Sequence, residues 1–105
     1  VEDPTVRVRA RIHLLTTEDG GRSAPLAGGS SYRPNHNFFD ADNREMAIGF
    51  VELPDHPIPP GETFDAEIIF LNLSDLGVEA SPGLVWRIQE GPKLVGSGEM
   101  LAVLS

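Results

Sequence analysis

From Val6 to Leu15 the chain reads VRVRARIHLL, apolar and polar side chains in strict alternation. Only an extended backbone sends successive side chains to opposite faces, so this run reads as a half-buried β-strand. Val6, Val8, Ala10, Ile12 and Leu14 share one face; Arg7, Arg9, Arg11 and His13 share the other. The rest of the chain repeats the pattern in short apolar runs broken by Gly and Pro, and nowhere shows a helical period. A second strand lies near Tyr32 to Phe39, where at least one of Tyr32, Phe38 and Phe39 should reach the core. A third spans Met46 to Leu53, a fourth Thr63 to Asn72, a fifth Leu84 to Gln89 and a sixth Leu94 to Leu104. Pro54 to Gly61 holds four prolines and must be a turn, and Ser74 to Gly83 is a second loop. Gly96 and Gly98 in the last strand indicate a bend or bulge where a barrel closes. The pattern predicts an all-β domain over residues 1–105. It is a small six-stranded antiparallel barrel with Val8, Ala10, Ile12, Leu14, Ile68, Phe70, Trp86 and Ile88 inward and no helix longer than a turn.

Composition excludes several kinds of function. The 105 residues carry 16 acidic and 8 basic side chains, a net charge of −8 that on average repels phosphate backbones. No run approaches the roughly 18 apolar residues of a membrane span, and no basic-then-apolar leader opens the chain. The first residue, Val1, is not Met, as in a domain cut from a longer chain. There is no cysteine, which excludes disulfides and fits a reducing cytoplasmic setting. Asp40 to Glu45, DADNRE, lacks the glycine and distal glutamate of a calcium loop and reads as a solvated turn. His13, His36 and His56 share no metal-ligand spacing, and no phosphate-cradling loop or nucleophile elbow occurs. No catalytic residue, metal, cofactor or small-molecule substrate is indicated.

Thr17 to Phe39 is a long glycine- and proline-rich connection, and loops of this length are more often functional or self-packed than idle. Its motifs are Glu18 to Arg22 (EDGGR), Pro25 and Tyr32 to Phe38 (YRPNHNF). They resemble the EEGGRHTPF and GYRPQFYF of the C-terminal β-barrel domain (domain III) of bacterial elongation factor Tu. Ile58 to Glu62 (IPPGE) is similar to that family's PGD-type turn, Trp86 to Gly91 (WRIQEG) to its RFAIREGG, and Val95 to Met100 (VGSGEM) to its TVGAGVV. The loop and these three later motifs stand in the family's order from about Ala10 to about Val103. The pattern is lost at FFDADNRE, where the family has an FRTTDVTG-like run.

The resemblance implies a non-catalytic interaction module, because the family's domain contacts the T-stem of aminoacyl-tRNA and the nucleotide-exchange factor and packs on a GTPase domain. The GTPase motifs themselves are absent from this chain. The family's REGG turn matches Gln89, Glu90, Gly91 and Pro92. Loss of its arginine at Gln89 and of a backbone N–H at Pro92 weakens phosphate binding. A protein partner is therefore favoured over tRNA, with Gly20, Gly21, Arg22, Tyr32, Arg33, Pro34, Gln89, Glu90 and Gly91 as the candidate contact residues. Arg22 and Arg33 can either grip a partner's anion or hydrogen-bond the loop's own carbonyls. The stripe of Arg7, Arg9 and Arg11 can be an anion site, but Asp65 and Glu67 in the fourth strand favour cross-strand pairing. The alternatives are a residual RNA-binding domain of a larger translation protein and an enzyme on a borrowed barrel.

Overall fold

The computed structural model describes residues 5–104; the domain limits expected at residues 1 and 105 lie outside that range. Seven strand segments follow in chain order: β1 (Val6–Leu14), β2 (Ser31–Tyr32), β3 (Asn35–Asn37), β4 (Ala47–Glu52), β5 (Thr63–Phe70), β6 (Val85–Glu90) and β7 (Lys93–Val103). β2 and β3 are one strand in two pieces. Both pair with β4, Tyr32 opposite Val51 and Asn35 opposite Ile48, so the register is unchanged across the gap. Pro34 sits in the gap and has no N–H to give the ladder.

The wall then closes on itself. β4 pairs with β5, β5 with β1, β1 with β7, β7 with β6 and β6 with β3, every pair antiparallel. This is the expected six-stranded barrel, and closure removes the unpaired edges an open sheet would present. Among the described residues the only helical segment is one 3-10 turn, Ser74–Leu76, in the loop before β6.

All eight side chains expected inside the barrel are buried, and Val51, Val95 and Met100 join them. One end of the core is aromatic. Phe38 stacks on Trp86 at 5.2 Å between centroids, while Phe70 meets Phe38 and Trp86 edge-on at 5.6 and 5.8 Å. Phe38 and Tyr32 both pack, partly buried, against the core, and Phe39 is exposed.

The expected irregularity of the last strand divides into two different causes. β7 carries two bulges: Leu101 is unmatched where Arg9 faces Ala102 and Ala10 faces Met100. Val95 is unmatched where Ile88 faces Gly96 and Gln89 faces Leu94. Gly96 adjoins the second bulge, and a Cβ there would lie 2.5 Å from the His13 carbonyl oxygen. Gly98 adjoins neither bulge. It makes room for the Trp86 indole, on which any Cβ would land.

The arginine stripe on β1 resolves residue by residue. Arg11 holds Asp65 with two hydrogen bonds, Nε to Oδ1 at 2.9 Å and Nη2 to Oδ2 at 3.3 Å. That contact raises the guanidinium's pKa and lowers the carboxyl's. Arg9 stands opposite Glu67 without forming an ion pair with it, and Arg7 stands opposite Ile69, which offers no charge.

Candidate functional site

The long loop is folded against the barrel. Its first turn is tied by the Asp19, Gly20 and Gly21 amides donating to carbonyls of Thr16 and Thr17 at 2.9–3.1 Å. Its middle makes a two-way backbone bridge, Leu26 N–H to Ile58 O at 2.8 Å and Ile58 N–H to Leu26 O at 2.9 Å, and both side chains are buried. The Gly29 amide closes the far end on the Pro54 carbonyl at 2.7 Å. The loop therefore lies on the proline-rich Pro54–Gly61 turn, burying apolar surface that helps offset the entropy of ordering it. Amide hydrogen exchange should show Gly21, Leu26 and Ile58 protected to nearly the level of β1; exchange at unprotected rates would refute an ordered loop.

One end of the loop joins the β6–β7 hairpin through charge. Arg22 pairs with Glu90 through Nη1 and Oε2, and Tyr32 donates its hydroxyl to the same oxygen at 2.6 Å. The Arg22 guanidinium also lies over the Tyr32 ring, 5.8 Å from its centroid, and its Nε donates to the Ala24 carbonyl at 3.2 Å. Burial and the Glu90 carboxylate both push the Tyr32 phenol's pKa up, so it stays a neutral donor. Arg22 thus both hydrogen-bonds a loop carbonyl and pairs with an acid of another element. Glu90 stands beside a two-residue turn: it faces Lys93, and Gly91 and Pro92 connect the strands. Gly91 has φ +60°, and the proline after it excludes the type I′ turn, whose two central residues both need positive φ.

The remaining candidate residues do not join this cluster. Gly20 takes φ +91° in the exposed first turn, whereas Gly21 is buried with its Cα against the Leu15 carbonyl, where no Cβ fits. Pro34 is buried. Arg33 turns away from its neighbour Tyr32 and lies over the Phe50 ring, because adjacent strand residues face opposite sides. Gln89 is buried: its Oε1 accepts from Asn37 Nδ2 at 2.8 Å and its Nε2 donates to the Gly91 carbonyl at 3.3 Å. It props up the hairpin turn from below. The nine residues are split between two faces and an interior, and only Arg22, Tyr32 and Glu90 make mutual side-chain contacts.

Two buried polar residues in the second strand carry more of the local structure than their sequence context suggests. Asn37 donates from Nδ2 to the Asp40 carbonyl and to Gln89, and its Oδ1 accepts from the Phe39 amide and Asn43 Nδ2, all at 2.8–3.0 Å. It organises the DADNRE turn from within. His36 is fully buried; its Nδ1 accepts from Trp86 Nε1 at 3.0 Å and its Nε2 faces the Gly49 carbonyl at 3.1 Å. An indole N–H can only donate and a carbonyl can only accept, so the ring is neutral with its proton on Nε2. Burial lowers its pKa to about 4. The only signal for either residue was its place inside the YRPNHNF motif.

No family profile matches the chain. Elongation factor Tu 2 of Streptomyces avermitilis is 35% identical to it over 103 residues, covering 95% of this chain. The match falls in the relative's C-terminal region, and the chain spans 23% of that protein's length. With its closed antiparallel barrel and the shared loop and hairpin motifs, the chain belongs to the elongation factor Tu C-terminal β-barrel domains.

Proposed function

We propose that this domain is a non-catalytic module that docks a protein partner of the translation apparatus through the barrel end formed by Arg22, Tyr32 and Glu90. Gly20 and Gly91 flank the cluster. The carrying observation is that Arg22, the cation of this cluster, is already matched by the Glu90 carboxylate. A cluster with no net charge on a chain of −8 attracts a phosphate backbone poorly. It does offer an aromatic and an arginine, the side chains that most often anchor protein interfaces. The adjoining turn argues the same way, since Pro92 has no amide N–H and Gln89 is buried in place of a cation.

The test is an NMR titration of the isotopically labelled chain with two probes, the GTPase region of the Streptomyces relative and bulk aminoacyl-tRNA. Shifts at Gly20, Arg22, Tyr32 and Gly91 are expected with the protein probe, reduced by Arg22→Ala, while tRNA binds weakly and is displaced by moderate salt. Tight, aminoacyl-dependent tRNA binding at the same residues would favour the RNA-binding reading instead. Absence of shifts with the protein probe would remove the proposal.

A further inference from the structure

The outer face of β4 and β5 carries apolar side chains on the side of both strands that the core does not use. Phe50 stands directly opposite Ile69, and beside them the Leu71 amide donates to the Ile48 carbonyl at 2.9 Å. Ile48 and Leu71 are 42% and 37% exposed, and Phe50 and Ile69 are partly exposed. Single exposed apolar residues need no explanation, but four in a block on adjacent strands do.

Cations bracket the block along one row. The Arg33 guanidinium lies 5.8 Å from the Phe50 ring centroid, and Arg7 stands opposite Ile69 on β1. The row across four strands therefore reads Arg33, Phe50, Ile69, Arg7, with a cation at each end. Arg11 and Arg22 both have carboxylate partners. Arg7 and Arg33 form no ion pair among the described residues.

We propose that this face docks a segment of another protein that presents apolar side chains between two carboxylates. Charge selects that occupant. A second copy packed by a two-fold axis along the strands would set Arg33 of one copy against Arg7 of the other. An axis across the strands would set each arginine against its own counterpart, so both arrangements place like charges together. A nucleic acid would meet an apolar centre, with Glu52 of β4 and Glu67 of β5 on the same outward sides as Phe50 and Ile69. An acidic-flanked segment instead gives each guanidinium a carboxylate and covers Phe50 and Ile69. This face is separate from the Arg22–Tyr32–Glu90 cluster and does not rest on the function proposed for it.

The test is to pan a library of random dodecapeptides against the 105-residue chain, depleting it on the Phe50→Ser/Ile69→Ser double variant. Enriched peptides are expected to carry Asp or Glu on both sides of an apolar stretch. Their affinity should fall about tenfold or more on Arg7→Gln/Arg33→Gln and with added salt. All four substitutions are on outward side chains, and circular dichroism with thermal unfolding checks that each double variant is folded. If the serine variant fails to fold, the glutamine variant alone decides the matter. Failure to enrich any peptide, enriched peptides without acids, or affinity unchanged on the glutamine variant would each overturn the proposal. So would dimerisation of the chain, or a tRNA gel shift, that disappears in the serine variant.

Discussion

Gly98→Ala is expected to cost the barrel about 2–3 kcal/mol, read as a lowered urea midpoint at neutral pH with an unchanged m-value. The added methyl would fall on the six-membered ring of Trp86. Overpacking is cheap when the struck group is the free end of a flexible side chain, and this one is neither free nor flexible. Trp86 Nε1 is bound to His36, Phe38 stacks on its face and Phe70 meets it edge-on. Moving the indole would break that hydrogen bond in a buried site and disturb both ring contacts at once. Trp86→Phe removes the atoms the methyl strikes, at the expense of a cavity and of the His36 Nδ1 partner. The double variant should therefore be more stable than the sum of the single losses implies, by about 1 kcal/mol or more. Simple additivity would mean that Gly98 acts through the backbone and not through the indole.

His36 should make the domain acid-sensitive in a defined window. Its pKa is about 4 in the folded chain, against an ordinary value of 6.5. Between those values the unfolded chain binds the proton and the folded chain does not, so stability rises with pH there. The full contribution is present above pH 6.5 and is lost as the pH falls toward 4. About 2 kcal/mol should disappear between pH 7.5 and pH 5. Protonation would place an N–H on Nδ1 facing the Trp86 N–H, two donors with no acceptor between them. The Asp65 carboxyl, held below its usual 3.8 by Arg11, loses its contribution only at lower pH and stays outside this window. His36→Gln can give an amide N–H to Gly49 and an oxygen to Trp86 without titrating. Urea midpoints of that variant should be nearly flat between pH 7.5 and 5. A slope equal to that of the parent would place the acid sensitivity elsewhere.

The strands were legible because a sheet writes its faces into the chain with period two. Val8, Ala10, Ile12 and Leu14 are buried, as the alternation of β1 implies, and so are the inward residues named on β5 and β6. The same parity separates Tyr32 from Arg33. Arg33 and Pro34 continue a strand whose register survives the proline, so the candidate contact residues Tyr32 and Arg33 face opposite sides. A glycine in a strand such as Gly98 has two meanings, a bulge or a close approach, and only the position of Trp86 on the neighbouring strand chooses between them. Residue type lets Arg7 face an acid of β5, but the register of β1 against β5 gives it Ile69.

Local physical chemistry, acting over a few residues, determined this protein's strands, its turns and the side of each strand that is apolar. Burial of one face and the turn preferences of Gly and Pro depend on near neighbours alone. Which polar groups meet was decided only when the barrel closed. Arg22 and Glu90 are 68 residues apart, Tyr32 and Glu90 58, and His36 and Trp86 50. At such separations residue type allows many partners, and the choice falls to strand order and register. Those are set by the whole set of side chains that must fill one interior. The neutral Arg22–Tyr32–Glu90 cluster, the buried histidine and the arginine-bracketed apolar face are therefore products of closure, built from residues that the chain spaces far apart.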